Sequence, residues 1–182
     1  MTAPAFSLDD LAGSAGRMDI LLNAANAALL VAHGIRRDVE VGMLLLGPPD
    51  PPRFIRWRGH ALRSYQPDIR SNAALLRKAL EHGSRVERET SPGVVASKAS
   101  FEEALDRLAP SFVYLREGGK DIRGADLPSD ATYVLSDNQD LTAHEERAVL
   151  ARDAVVVGLG PVALHTDQAV ALVHNELDRR LA

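Results

Sequence analysis

Short apolar runs of strand character alternate with segments of helical period along almost the whole chain, and that rhythm confines it to an α/β architecture. Met18, Leu21, Leu22, Ala25, Leu29 and Ala32 recur at helical spacing, with Ser14 available as an N-cap and Gly34 as a stop. Residues 39–46 follow, and their apolar end suits a strand buried on both faces. The prolines of residues 47–52 forbid helix or central strand. Residues 53–58 read as a strand and 71–82 as a helix closed by Gly83. An extended piece at Val94 and Val95 precedes a helix opened by a Ser100–Glu103 capping box. Strands are expected at 112–116, 132–135 and 154–157, with a glycine-paired loop at 117–128. A Thr142–Glu145 box opens another helix, and the last runs from about Thr166 to the end. The expected fold is therefore α/β with a mainly parallel sheet, in a single domain spanning residues 1–182.

With 182 residues, 46% of them hydrophobic and 25% charged, the chain has the makings of a globular core rather than of a disordered segment. No apolar run approaches the roughly 20 residues that span a bilayer. The N-terminus has no basic cluster followed by an apolar block, so the expected location is cytoplasmic, away from any membrane. There is no cysteine, which removes disulfides, thiolate zinc sites, iron–sulfur clusters and a thiol nucleophile. The six histidines show no ligand spacing, and no metal is expected.

The net charge of −4 is unevenly spread. Residues 33–78 hold nine Lys and Arg against four acids, a local +5 that leaves −9 for the rest. One basic face on an acidic body would look like this, and so would a solvated surface without a ligand.

Gly158-Leu-Gly-Pro-Val-Ala163 matches the dinucleotide-binding pattern Gly-x-Gly-x-x-Gly/Ala between a strand and a helix. A βαβ unit needs a further parallel strand after that helix, and the sequence stops directly after it; Pro161 also restricts the glycine turn. The dinucleotide reading is rejected. What remains is a glycine-rich turn at a strand end, where α/β folds take ligands, and a second polar turn, Ser136-Asp-Asn-Gln-Asp140. The two could form one pocket, or both could be plain connections.

Six segments carry more information together. They are Asp10-Leu-Ala-Gly-Ser-Ala-Gly-Arg-Met-Asp19, Ala32-His-Gly-Ile-Arg-Arg-Asp-Val39, Pro67-Asp-Ile-Arg-Ser71, Tyr133-Val-Leu-Ser-Asp-Asn-Gln-Asp-Leu-Thr142, Leu159-Gly-Pro161 and Val173-His-Asn-Glu-Leu-Asp-Arg-Arg180. In this order they resemble the archaeal tRNA (pseudouridine54-N1)-methyltransferases of the SPOUT class. The resemblance implies a SPOUT-type fold with a C-terminal trefoil knot, S-adenosyl-L-methionine bound in the knot, tRNA as partner and a homodimer through the knot region. It implies cofactor contacts from Leu135, Ser136, Gly158, Leu159, Gly160, Leu164 and Ala169, and an RNA face carrying Arg17, Arg36, Arg37 and Arg70. Asp19, Asp38 and Asp68 would sit beside these cations, each able to orient an arginine or to accept the proton leaving pseudouridine N1; each could equally be an ion-pair partner. The catalytic set implied is Asp19, Asp68 and Arg70. Transfer to a ring nitrogen needs no thiol adduct, which suits a chain without cysteine.

The sequence departs from the family in three places. Only eight residues precede Asp9, too few for the family's N-terminal edge strand, which is expected to be missing or truncated. The family's Asp-Glu-Arg-Ser reads Asp68-Ile-Arg-Ser71 here, and its Asp-His-Cys reads Asp167-Gln-Ala169. A knotted RNA-binding module without catalysis, or a methyltransferase for another RNA, are the alternatives.

Overall fold

Residues 46–52 join two strands through a connection too short for a parallel crossover, so those strands must pair antiparallel. This local fact sets the character of the N-terminal half. The computed structural model describes Thr2, residues 4–137 and residues 139–181, and the chain divides into two compact units, Met1–Ser100 and Phe101–Ala182. No helix among the described residues is long and apolar enough to cross a membrane.

In the first unit, helix α1 (Met18–Leu29) leads into a small hairpin of β1 (Leu30–Val31) and β2 (Gly34–Ile35). Strands β3 (Glu40–Leu45), β4 (Arg53–Arg58), β5 (Arg88–Ser91) and β6 (Val94–Ser97), with helix α2 (Ile69–Ala79), complete it. The sheet order is β3-β4-β6-β5 and every pairing is antiparallel. The expectation of a mainly parallel sheet is thus corrected for this half. β3 is an edge strand with alternating burial rather than a strand covered on both faces, as its polar Glu40 and Gly42 positions require.

Met18, Leu22, Ala25 and Leu29 of α1 and Ala73 and Leu76 of α2 join Met43, Ile55, Trp57 and Val94 of the sheet in one core. Trp57 is fully buried and meets Tyr65 edge-on, with ring centroids 5.4 Å apart. Helix α1 starts later than Ser14: Arg17 takes the N-cap position with φ 63°, and the Ser14 hydroxyl bonds instead to the Asp10 carbonyl. Gly34 lies in β2 and does not end the helix; Leu30 turns to extended backbone first. No strand precedes α1 among the described residues; Thr2 is buried there, its N–H bonded to Pro48 O at 3.0 Å.

The second unit holds the parallel sheet. It comprises α3 (Phe101–Leu105), β7 (Phe112–Asp121), a 3-10 turn at Ile122–Gly124, β8 (Thr132–Val134), α4 (Ala143–Leu150), β9 (Val155–Gly158) and α5 (Thr166–Leu181). The strand order is β8-β7-β9, both pairings parallel. The Thr142–Glu145 capping box forms as read from the sequence. β7 extends past Arg116: the ladder with β9 jumps from Leu115↔Val157 to Lys120↔Val157, so the expected loop is partly a bulged strand.

Candidate functional site

Because β8 and β9 both run parallel to β7, their C-terminal ends leave the sheet on the same side. Such strand ends are where open α/β sheets take ligands. Leu135 and Ser136 follow β8, and Gly158 closes β9. The turn after β8 is tied to the segment that follows β9 by Thr166, the first residue of α5. Its hydroxyl donates to the Ser136 carbonyl at 3.1 Å and to the Asp137 carbonyl at 3.4 Å. Asn138, in the same polar turn, lies outside the described residues.

The backbone around this corner divides into a tight part and an open part. A Cβ on Gly158 would lie 3.0 Å from the Gly119 carbonyl oxygen, and one on Gly119 only 2.5 Å from the Val157 carbonyl carbon. The bulge of β7 therefore packs backbone against backbone on the end of β9. Gly160, by contrast, has φ 140° with nothing within 4 Å of the Cβ position. Residues 160–164 make no backbone hydrogen bond to another described residue, and Val162 and Leu164 are exposed. Free peptide groups, a glycine facing open space and apolar side chains suit a flat heterocycle read through backbone atoms. The residues present thus fit a nucleoside-bearing cofactor.

Leu159 contributes backbone only, since its side chain packs on the cluster of Ile122, Val157 and Val173. Ala169 lies in the first turn of α5, half-buried, with its N–H bonded to the His165 carbonyl at 2.9 Å. Gln168 accepts from the His165 N–H at 3.1 Å, holding the helix entry. At the other end of α5, Arg180 donates to the Ile122 carbonyl at 2.6 Å and to the Ala125 carbonyl at 3.0 Å. Tyr133 of β8 keeps a buried hydroxyl without a hydrogen-bond partner among the described residues, and burial raises its pKa.

The residues expected to face RNA or act on it all lie in the first unit. Asp19 and Arg70 share a cleft of about 350 Å³ with Asp9, Asp10 and Ile69. Arg17 grips Asp19 in a fork, at 3.0 and 3.1 Å, and this hydrogen bonding holds the carboxyl below its usual pKa. Arg70 pairs with Asp9 at 2.5 Å. Asp68 caps α2, accepting from Arg70 N–H, Ser71 N–H and the Ser71 hydroxyl at 3.3, 2.9 and 2.7 Å, and the Ser71 bonds lower its pKa. Arg37 donates from Nη1 to the carbonyls of Gly59 and Leu62 at 2.8 and 2.7 Å. Arg36 is half-buried after β2, and Asp38 is exposed in the turn before β3.

Sequence reasoning missed Asp9, Gly119 and Thr166. The first and last act through partners distant in sequence, and neither belongs to a local pattern. Gly119 had left a signal in the paired glycines, read only as a loop. Among the described residues no group of three or more His, Asp or Glu could hold a metal ion.

A family model described as "Putative SAM-dependent RNA methyltransferase" matches residues 1–182. The chain is 47% identical over 182 residues to a tRNA (pseudouridine(54)-N(1))-methyltransferase of Methanocella arvoryzae, covering 99% of this chain and 94% of that protein. It is 39% identical over 187 residues to the protein of the same name from Methanococcoides burtonii, covering 100% and 93%. Among solved structures, Archaeoglobus fulgidus Nep1 bound to S-adenosylhomocysteine shares the fold with a TM-score of 0.62 and 18% identity, over 92% of this chain and 73% of that one. The whole length of the chain is matched, and it belongs to the SAM-dependent RNA methyltransferase family that this model describes.

Proposed function

We propose that this chain is an S-adenosylmethionine-dependent tRNA (pseudouridine54-N1)-methyltransferase, working in the cytoplasm as a homodimer. The observation that carries the reading is the Thr166 hydroxyl bound to the Ser136 carbonyl, which ties the turn after β8 to the start of α5, directly after the open stretch that contains Gly160. Relatives named for this activity are 39–47% identical over nearly the whole chain.

In this reading the backbone at Leu135, Ser136, Gly158, Leu159, Gly160 and Leu164, with Ala169 behind them, holds the methyl donor. S-adenosylmethionine supplies a sulfonium methyl, to which a ring nitrogen bonds as the carbon–sulfur bond breaks. The chain's part is to fix the donor, fix the acceptor base and take charge of the N1 proton. Asp19, held in position by Arg17, is the carboxylate best suited to meet N1–H, because it lines the cleft with Arg70, whereas Asp68 caps α2 and does not line that cleft. Arg17, Arg36, Arg37 and Arg70 hold phosphates of the RNA.

The trefoil knot belongs to the same proposal. Support comes from β9 lying along both limbs of the bulged β7, and from α5 being tied to Ser136 at one end and to Ile122 and Ala125 at the other. The dimer is supported by α5, of whose residues only Val173 is buried while Leu172 stays exposed.

Calorimetric titration with S-adenosylmethionine tests the reading. The wild type should bind, and Gly160→Val should lose at least about tenfold in affinity, because a branched side chain fills the open turn and cannot take its φ without strain. Unchanged affinity in Gly160→Val would move the cofactor elsewhere. Retention of tRNA without cofactor binding or turnover would instead leave an RNA-binding module.

A further inference from the structure

Four of the nine cations crowded into residues 33–78 are neutralised where they stand. Arg53 pairs with Asp50 at 2.7 Å, Arg56 with Glu40 and Glu87 at 3.2 and 2.7 Å, Arg58 with Glu40 at 3.5 Å and Arg70 with Asp9 at 2.5 Å. Arg37, Arg63 and Lys78 have no carboxylate partner among the described residues, and all three line one cleft of about 900 Å³ together with His60, Thr90 and Ser91. Glu89 also reaches this cleft, but its carboxylate accepts the Gly93 N–H at 2.7 Å. Three unpaired cations of the segment are thus gathered on one surface, distinct from the cleft of Asp19 and Arg70.

The floor of this cleft is rigid backbone. Arg37 clamps the turn that carries His60 through its bonds to the carbonyls of Gly59 and Leu62. Gly59 packs so closely that a Cβ there would lie 2.1 Å from the Arg36 carbonyl oxygen. A Cβ on Gly93, at φ 79°, would lie 2.5 Å from the Leu62 nitrogen. Both turns are fixed before any ligand arrives, which lowers the ordering cost of binding.

We infer that this cleft grips the sugar–phosphate backbone of the tRNA, as a second anchoring surface separate from the residues that meet the reacting nucleotide. The inference rests on the tRNA reading above. Its cations come from three places: Arg37 before β3, Arg63 after β4 and Lys78 on α2. Charge spread this way suits a row of phosphates better than one compact anion. The hydroxyls of Thr90 and Ser91 donate to the carbonyls of Val94 and Thr90, leaving their oxygens to accept from ribose hydroxyls. Among the described residues no Phe, Tyr or Trp lines the cleft, and contacts from its cations to phosphates contribute affinity without reading sequence.

The test is the double variant Arg63→Ala/Lys78→Ala, which removes two exposed side chains that make no hydrogen bond among the described residues. Equilibrium binding of a tRNA carrying pseudouridine at position 54 is measured across a salt series, beside methyl transfer and cofactor titration. The expected result is a Kd raised about tenfold and a log Kd against log salt slope smaller by about two. KM for tRNA should rise while kcat at saturating tRNA and the affinity for S-adenosylmethionine hold. Arg77→Ala, on the same helix but outside the cleft, should change the Kd less than about twofold, as expected of a surface charge without a partner. An unchanged Kd and slope in the double variant, with a wild type that binds and methylates tRNA, overturns the inference and leaves the functional reading standing. A wild type that binds tRNA without methylating it, weakened by the same double variant, supports the cleft and overturns the reading. A wild type that binds no tRNA overturns both.

Discussion

Asp68 and Asp19 are both aspartates beside arginines, yet their surroundings give them different work. Asp68 holds the first turn of α2 with both oxygens, and those bonds lower its pKa. Asp19 also has both oxygens engaged, by Arg17, but it lines the cleft beside Arg70 and Asp68 does not. Asp68→Asn keeps an acceptor for the cap and should leave kcat within about twofold of wild type, as a surface cap allows. Asp19→Asn should lower kcat by about a hundredfold or more, the scale of a positioned proton acceptor. Single-turnover transfer to pseudouridine-bearing tRNA separates the two; a collapse confined to Asp68→Asn would reverse the assignment. The sequence marked both residues as candidates but could not rank them. Their partners Arg17, Arg70 and Ser71 stand nearby in the chain, whereas the geometry that divides their roles is tertiary. Asp9 was silent for the same reason, since its bond to Arg70 crosses most of the first unit.

At the scale of elements, the ladder between β7 and β9 matters most, because it places the strand ends that form the cofactor corner. Gly119 allows the two backbones to meet after the bulge. Gly119→Ala should destabilise the protein by about 1–3 kcal/mol, the usual cost of overpacking, with urea midpoints as the readout. A midpoint within error of wild type would mean that the backbones part without penalty. Helices α2, α4 and α5 were legible within a few residues from their apolar period and, for α4, from the Thr142–Glu145 box. Sheet direction was not. Residues 39–46 and 53–58 read as strands, but only the short proline-rich connection reveals that they form a hairpin. β5 was missed because Arg88-Glu-Thr-Ser91 is polar and exposed for most of its length. The end of β7 was hidden by Gly118 and Gly119, which read as a turn and serve as a bulge.

For the molecule as a whole, acid should be the weak side. Asp19, Asp50, Asp68 and Asp121 all have lowered pKa values in the folded state, and Arg123 holds Asp121 down to about 2 by hydrogen bonding. A carboxylate whose folded pKa is depressed contributes stability above its unfolded value, near 3.9, and loses it as pH falls through the folded value. The melting temperature should therefore be nearly level above pH ~5 and should fall steadily as the pH drops from about 4 to 2. Stability that rose across that window would contradict the ion-pair assignments. The strand-end corners near Ser136 and Gly160 were legible as polar and glycine-rich turns, and the clasp that ties the first of them to the start of α5 is a single hydroxyl that no local pattern announces. The most direct test of the central claim is mass spectrometry of the T-loop fragment after incubating the protein with S-adenosylmethionine and two tRNAs, one with pseudouridine and one with uridine at position 54. One methyl group on the N1 nitrogen of pseudouridine 54, and none on the uridine tRNA, is the expected result. Methylation of both, or of neither while the cofactor binds, would contradict it.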